Sequence, residues 1–121
     1  MRKFIVEFGI GTDLHGQDVN KAAKKAVKDA VSRSCLCGLQ DVLNIPQEQF
    51  ADKVLIKATV AVSRPQEVNT DEVAGVFPVG TAQVRAVKGG LTIDGLCIPG
   101  FGDSDVSIEA AIAAVEVYIK E

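Results

Sequence analysis

Hydrophobic and polar residues alternate at the start of the chain. The apolar residues Phe4, Val6, Phe8 and Ile10 share one face of an extended segment, with Lys3 and Glu7 on the other. A period of two with aromatic and β-branched side chains is typical of a strand that buries one face. We therefore predict a strand over residues 3–10, ended by the glycines that follow.

The same alternation recurs further along the chain. It predicts a long strand over residues 52–63, which ends at Arg64-Pro65 because proline restricts the residue before it. It also predicts shorter strands over residues 82–87 and 91–93. The Lys88-Gly89-Gly90 turn between these two strands indicates a hairpin.

Apolar residues spaced by three and four predict a helix over residues 18–35. Its apolar stripe is mostly alanine, so it should pack closely against a sheet. Asp18 or Asn20 is suited to cap its start, and Gly38 to end it. A short turn over residues 39–43 follows.

Two further helices are predicted. One covers residues 70–77, with Asn69 and Glu72 at the spacing of a capping box. The other covers residues 106–120. Its apolar stripe comprises Ile108, Ala111, Ile112, Val115, Tyr118 and Ile119, and its candidate N-caps are Asp103, Ser104 and Asp105.

The predicted element order is β-α-β-α-β-β-α, in a single domain spanning residues 1–121. Alternating strands and helices favour an α+β fold with one mixed four-stranded sheet and its helices on one face. The second sheet face then stays apolar or semi-apolar. We expect association between copies of the chain to cover it.

Composition narrows the classes of function. The 121 residues carry a net charge of −3, so we expect neither nucleic acid nor an anionic membrane as a partner. No apolar run approaches the ~18 residues of a membrane span, and the first predicted strand begins too early for a signal peptide. The number of cysteines is odd, at three, and the Cys35-Leu36-Cys37 pair cannot easily form a disulfide with itself, which favours a reducing, cytoplasmic location. The absence of C-x-x-C spacing indicates neither a zinc ribbon nor a thioredoxin-like motif, so we expect the cysteines to be buried small side chains.

The octapeptide Gly-Ile-Gly-Thr-Asp-Leu-His-Gly at residues 9–16 concentrates the candidate chemistry. It contains His15, the only histidine, two residues after Asp13. Side chains at i and i+2 of an extended segment point the same way, so both groups would reach one metal ion. Carboxylate and imidazole suit Zn, Mn or Fe as a divalent metal cofactor.

Two other interpretations of this pair stay open. Asp13 would fix the tautomer of His15, leaving the second ring nitrogen to move a proton in acid/base catalysis. Alternatively, both residues serve only the turn, with Asp13 accepting hydrogen bonds from loop amides. Gly11 and Gly16 are candidate ligand-binding positions beside them, where glycine permits unusual backbone angles.

A second dense segment, Pro99-Gly-Phe-Gly-Asp-Ser-Asp105, precedes the last predicted helix. Asp103 and Asp105 are candidate ligand-binding residues that would complete the Asp13/His15 site, although helix capping explains them equally well. Arg64 and Arg85 are possible anion contacts across a subunit cleft.

The octapeptide resembles the G-x-G-x-D-x-H-G signature of a family of uncharacterised bacterial, cyanobacterial and plant proteins. Gly9, Gly11, Asp13, His15 and Gly16 match that signature, and the stretches VFPVGTAQV, KGGL and GFGDSD also look like the family. The resemblance covers nearly the whole chain. It implies family membership and no particular activity.

The element order is similar to that of Bacillus chorismate mutase and of small trimeric deaminases acting on enamines and imines. This resemblance implies a homotrimer with ligand clefts between subunits. Methylerythritol cyclodiphosphate synthase carries a similar G-x-D-x-H segment whose Asp and His bind a divalent metal. Asp13 and His15 match those two positions, but this chain has no second histidine to complete such a site.

Two hypotheses of function follow. The first is a small oligomeric enzyme, metal-assisted or acid/base, with Asp13 and His15 as catalytic residues. It would be a lyase, isomerase, cyclase or hydrolase of a small polar metabolite. The second is a non-catalytic oligomer that binds a metabolite or a metal, or acts as an assembly partner.

Overall fold

The computed structural model describes all 121 residues. The elements are β1 (Arg2–Asp13), α1 (Val19–Ser32), α2 (Gly38–Asp41), α3 (Phe50–Lys53), β2 (Val54–Val62), α4 (Thr70–Ala74), β3 (Thr81–Lys88), β4 (Leu91–Asp94) and β5 (Ser107–Ile119). Single 3₁₀ turns cover Gln47–Gln49, Pro65–Glu67 and Pro99–Phe101. No helix has the length and apolar character needed to cross a membrane.

The five strands form one mixed sheet in the order β1-β5-β2-β3, with β4 beside β5. Strand β5 is antiparallel to β1, β2 and β4, whereas β2 and β3 are parallel. Along one edge of β5, β2 pairs as far as Ile112 and β4 takes over from Ala110. The α+β class and the mixed sheet agree with the sequence-based prediction, but the sheet has five strands instead of four.

The prediction of a C-terminal helix over residues 106–120 is wrong, because this segment is the central strand β5. Its buried residues recur with a period of two, from Glu109 and Ala111 to Val117 and Ile119. The alanines between them also fit a helical period, which made the pattern ambiguous. The strand pairing resolves this ambiguity, since the backbone groups on the two edges of β5 are hydrogen-bonded to β1 and to β2. The candidate caps at 103–105 therefore have no helix to cap.

The first strand is confirmed, but the face that it buries is the opposite of the expected one. Gly9 and Gly11 are buried beneath α1, whereas Phe8 and Ile10 lie on the outer face and are 63% and 54% exposed. A Cβ atom added at Gly9 would lie 2.2 Å from the carbonyl oxygen of Ala26. Glycine thus lets the helix backbone rest directly on the strand. Phe4 falls at a β-bulge, where the register shifts between Lys3 and Ile5.

The predicted hairpin at Lys88-Gly89-Gly90 is also wrong. β3 pairs with β2 and β4 pairs with β5, so the turn carries the chain across the end of β2. Gly90 has a φ of 72°, and a Cβ there would lie 2.3 Å from the carbonyl oxygen of Ala110. A close crossing of two backbones, and not a tight hairpin, explains the paired glycines.

Both predicted helix starts are present. The side chain of Asp18 accepts a hydrogen bond from the backbone N–H of Lys21, and that of Asn69 accepts one from Glu72. Helix α1 ends at Ser32, earlier than expected, so Gly38 begins α2 instead of closing α1. The three cysteines were expected to be buried. Cys35, Cys37 and Cys97 are exposed because they lie in the loops that follow α1 and β4.

Helix α1 covers the inner face of the sheet. Its buried side chains, Val19, Ala22, Ala23, Ala26, Val27 and Ala30, are at most 1% exposed. They pack against Val60, Val62 and Ala113 at one end of the sheet and against Val115 and Val117 at the other. No comparable layer covers the outer face.

Candidate functional site

The loop that follows β1 meets the loop that precedes β5. These strands are antiparallel neighbours, and Asp13 at the end of β1 pairs with Glu109 near the start of β5. Gly16 and Gln17 both adopt left-handed backbone angles, with φ of 99° and 53°. This conformation is uncommon for a residue with a side chain. It turns residues 15–17 toward Asp103.

Asp103 is the centre of this contact. Its Oδ1 accepts hydrogen bonds from the backbone N–H of Gly16 at 2.8 Å and from Nε2 of Gln17 at 3.0 Å. Its Oδ2 accepts from Nδ1 of His15 at 2.7 Å and from the backbone N–H of Ile98 at 2.8 Å. The carboxyl side chain is inaccessible to solvent. Each oxygen thus has two donors, which is the full satisfaction that a buried carboxylate requires.

The donors determine the ionisation of Asp103. The hydrogen bond from the Ile98 backbone N–H is the largest influence and holds the pKa of Asp103 far below its ordinary value. Burial opposes this shift, and the hydrogen bonds from His15, Gly16 and Gln17 reinforce it. An ionised carboxylate can only accept hydrogen bonds. Nδ1 of His15 therefore carries the hydrogen of the His15–Asp103 bond.

His15 is held in one orientation with one nitrogen free. Its ring lies edge-on to Phe101, with the ring centroids 5.1 Å apart and the planes at 72°. The side chain is 32% exposed, and no group of the chain hydrogen-bonds Nε2. In the neutral imidazole with its hydrogen on Nδ1, Nε2 has a lone pair that no group of the chain uses.

Gln17 is the residue of this cluster that sequence reasoning missed. Its Nε2 donates to Asp103 and, at 2.9 Å, to the backbone carbonyl of Ser107. Its Oε1 accepts from the backbone N–H and the hydroxyl of Ser104, at 3.0 and 3.2 Å. Every side-chain contact is to a residue at least 86 positions away. No local pattern signals such a role, so only the paired strands reveal it.

Behind Gln17 lies a second charged group, Arg64 with Glu109. Arg64 donates to the backbone carbonyl of Gln17 at 2.6 Å and to Oε1 of Glu109 at 3.0 Å. Burial is the largest single influence on Arg64 and acts to lower its pKa, but hydrogen bonds and charges of Glu67 and Glu109 together raise it. Oε2 of Glu109 also accepts from the hydroxyls of Ser63 and Thr92, so both oxygens of this buried carboxylate are hydrogen-bonded. The group fixes the Gln17 backbone from the sheet side.

Asp13 has different partners from His15. Its Oδ2 accepts a hydrogen bond from the backbone N–H of Asp18 at 2.9 Å, and Nζ of Lys21 lies 3.9 Å from its Oδ1. The residue is only 2% exposed. A carboxylate at a helix N-terminus is electrostatically favourable. Asp13 thus anchors the start of α1, and the carboxylate that contacts His15 is Asp103.

The remaining candidate residues lie in the loop after β1, in β1 itself and in the segment before β5. Gly16 contributes its backbone N–H to Asp103. Gly11 lies under α1, where an added Cβ would be 2.3 Å from the carbonyl oxygen of Ala22. The Asp105 carboxylate is exposed and accepts from the backbone N–H of Ser107 at 2.7 Å. No group of three or more His, Cys, Asp or Glu side chains is arranged to hold a metal ion.

Comparisons with known proteins give the family. A crystal structure of an FtsZ-like protein of unknown function from Nostoc punctiforme superposes with a TM-score of 0.86 and 33% sequence identity, covering 99% of this chain and 97% of that one. No curated protein matches the chain. Residues 3–117 match the family described as "Conserved hypothetical protein (Lin0512_fam)". The chain therefore belongs to this family of conserved hypothetical proteins.

Proposed function

We propose that the chain is a small acid/base enzyme in which His15 moves a proton of a small polar metabolite. The single observation that carries this proposal is the 2.7 Å contact between Nδ1 of His15 and the buried carboxylate of Asp103, in a side chain that is partly exposed and whose Nε2 has no hydrogen-bond partner within the chain. A carboxylate that holds one ring nitrogen fixes the tautomer and stabilises the imidazolium formed when the other nitrogen takes a proton.

The surroundings of His15 favour direct proton transfer over covalent catalysis. A nucleophilic mechanism needs a hydroxyl or thiol within hydrogen-bond reach of the base. None contacts His15, whose neighbours are Asp103 and the ring of Phe101. The proposal therefore favours a lyase, isomerase or cyclase, in which Nε2 abstracts or returns a proton, over a hydrolase with an acyl-enzyme intermediate. In this scheme Gln17 and Asp13 are positioning residues.

The metal-assisted version of the proposal depends on the same nitrogen. Nε2 would supply one ligand to Zn, Mn or Fe, and the side chains of one chain do not supply two more. The other ligands would have to come from the substrate or from a second subunit.

We also propose that the chain acts as a homo-oligomer, with a trimer favoured. The outer face of the sheet bears a patch of exposed apolar side chains on three strands, formed by Val6, Phe8, Ile10, Leu91, Ile93 and Ile112. Leu14 and Phe101, which flank His15, are also more than half exposed. Apolar surface that is contiguous in this way commonly marks an interface. A second subunit on this patch would border the His15 loop. Three exposed free thiols support a reducing, cytoplasmic location.

NMR spectroscopy tests the proton-transfer role directly, because His15 is the only histidine. Long-range ¹H–¹⁵N spectra of the intact protein should show the hydrogen on Nδ1 in the neutral ring. Titration with a panel of small hydroxy, keto and amino acids should shift the Nε2 resonance for at least one compound. His15→Gln should abolish turnover of that compound. A ring protonated on Nε2, or a panel that never shifts the resonance, would contradict the proposal.

The competing function is a non-catalytic metabolite-binding oligomer. The dense hydrogen bonding of Asp103, which leaves only Nε2 of His15 free, is also what a rigid binding site would need. Binding of the same compound without solvent-proton exchange into it, followed by NMR in ²H₂O, would favour this alternative.

A further inference from the structure

A second concave site lies at the far end of α1. A cavity of about 460 Å³ opens between the C-terminal end of α1, helix α2 and the inner face of the sheet. Eleven of its seventeen lining residues are hydrophobic. The apolar wall includes Val31, Leu36, Leu39, Phe50, Ile56 and Val117. This volume falls within the range of about 300–1,000 Å³ that is usual for small-molecule sites.

The cavity is separate from the His15 site. Residues 15–17 precede the first turn of α1, whereas the cavity begins at Val31 and continues into the loop after Ser32. The 14 residues of α1 span about 20 Å at ~1.5 Å per residue. A ligand here would not reach the imidazole.

The charged groups of the cavity are all acidic. Glu7 and Asp41 line it, and no lysine, arginine or histidine does. Glu7 projects from β1 on the inner side of the sheet, where it is half-buried and accepts a hydrogen bond from the hydroxyl of Ser34 at 2.7 Å. Its other carboxylate oxygen has no partner within the chain. A partly desolvated carboxylate with a free oxygen favours a cation beside it and disfavours another anion.

We propose that this cavity binds a small apolar molecule that carries an ammonium group, with the apolar part against Leu39, Phe50 and Val117 and the cation at Glu7. An alkyl carboxylate of the same length has the same apolar part but places its charge against two carboxylates. The sign of the ligand's charge therefore decides affinity. This site is independent of the proton-transfer function proposed for His15.

The probes are decylammonium, whose N–H groups can donate to Glu7, and decanoate, both used below their micelle concentrations on the full-length protein. Both compete for the cavity with the neutral fluorophore N-phenyl-1-naphthylamine. We expect the ammonium to displace the fluorophore at least about tenfold more strongly than decanoate, the difference that a charge-assisted contact of ~1.4 kcal/mol gives. Equal displacement by the two, or none by either, would overturn the proposal.

Glu7→Gln isolates the charge while keeping an oxygen that accepts from Ser34. It should reduce the preference for the ammonium to about twofold or less. Glu48→Gln is the matched control, because Glu48 is exposed and does not line the cavity. A loss of preference that is as large in Glu48→Gln would mean a nonspecific charge effect and would refute the site. His15→Gln should leave both affinities unchanged.

The cysteines report where the probe binds. Cys35 and Cys37 line the cavity, whereas Cys97 is equally free but lies elsewhere. Decylammonium should slow the alkylation of Cys35 and Cys37, measured by peptide mass spectrometry, and leave that of Cys97 unchanged. Protection of all three thiols, or of Cys97 alone, would place the probe outside this cavity.

Discussion

Nδ1 of His15 lies 2.7 Å from Oδ2 of Asp103, although 88 residues separate them along the chain. The antiparallel pairing of β1 with β5 brings them together, because it places the end of one strand beside the start of the other. The contact therefore depends on the sheet. Loss of this hydrogen bond should destabilise the two loops and the adjoining ends of β1 and β5.

The depressed pKa of Asp103 gives stability a defined dependence on pH. Chiefly because of the Ile98 N–H, the folded carboxyl resists protonation below the ordinary value of 3.8, at which the unfolded chain takes up a proton. Stability from this group is complete above about pH 5 and is lost as pH falls below about 4. Urea denaturation should therefore show a gap in the free energy of unfolding between wild type and Asp103→Asn that narrows as the pH falls from about 5 to about 3.

The same experiment carries its own control. The pKa values of Asp29 and Glu116 are also lowered, by the Ile10 backbone N–H and by Lys3 respectively. Those contributions are common to both proteins and cancel in the difference. A gap of the same size at pH 3 and pH 5 would show that Asp103 is not ionised at unusually low pH in the folded state.

Gly11→Ala should destabilise the protein through packing alone. The added Cβ would meet the carbonyl oxygen of Ala22 at 2.3 Å and force α1 off the strand. Overpacking of this kind costs about 1–3 kcal/mol. Gly100→Ala is the control, since nothing lies within 4 Å of its added Cβ, and it should stay within about 0.5 kcal/mol of wild type. Equal stability of the two variants in chemical denaturation would contradict the close contact.

Gln17→Ala should lower the free energy of unfolding by about 1–3 kcal/mol, because it removes one donor from the buried carboxylate of Asp103 and the hydrogen bonds to Ser104 and Ser107. Gln17→Gly loses the same hydrogen bonds but tolerates the φ of 53°, so it should be about 1 kcal/mol more stable than Gln17→Ala. Gln66→Ala, at an exposed position, should be neutral. An alanine variant that equals the glycine variant would indicate that the backbone there is unstrained.

The outer sheet face predicts the oligomeric state. Light scattering should give a mass three times the 12.8 kDa of one chain. Phe8→Asp, at a side chain 63% exposed in the single chain, should yield a folded monomer. Val42→Asp changes an equally apolar residue, 72% exposed, that lies off the sheet at the end of α2, and should leave the mass unchanged. A monomeric wild type would exclude this role of the face.

Elemental analysis of protein purified without a tag tests the metal-assisted version. If Nε2 of His15 is a ligand, the wild type should contain Zn, Mn or Fe in stoichiometric amount and His15→Ala should lose it. Metal retained by both proteins would place it away from His15. A metal-free wild type would leave the acid/base version as the proposal.

Sequence patterns were most successful where a signal is local. The capping residues Asp18 and Asn69 bond to amides three positions away, so the local sequence predicted both helix starts, by the capping-box spacing at Asn69 and with Asp18 or Asn20 as the cap of the first helix. The alternation in β1 likewise predicted the strand. The alternation could not predict which face of β1 would be buried, because an apolar face and a face that contains glycines can both be covered by a helix. The alanine-rich helix α1 packs closely only against the face that carries Gly9 and Gly11.

The candidate site was predicted in part. The concentration of Gly, Asp and His residues identified the segment at residues 9–16 as a candidate site. A ligand-binding role for Asp103 that completes this site was among the open interpretations. The pairing of His15 with Asp103, instead of with Asp13, follows from strand order, as does the role of Gln17. Neither residue's partners are near it in the chain.

The amino-acid order alone indicated the strand at the N-terminus, the long helix after it and the polar loops that hold the chemistry, since each is marked by a residue pattern within a short stretch of sequence. The three-dimensional fold settled the rest. It made residues 107–119 a strand and not a helix, because Ala and Val there suit both periods and only β1 and β2 could satisfy the backbone on either side. The pairing of β1 with β5 also determined that Asp103, and not Asp13, is the carboxylate that orients His15.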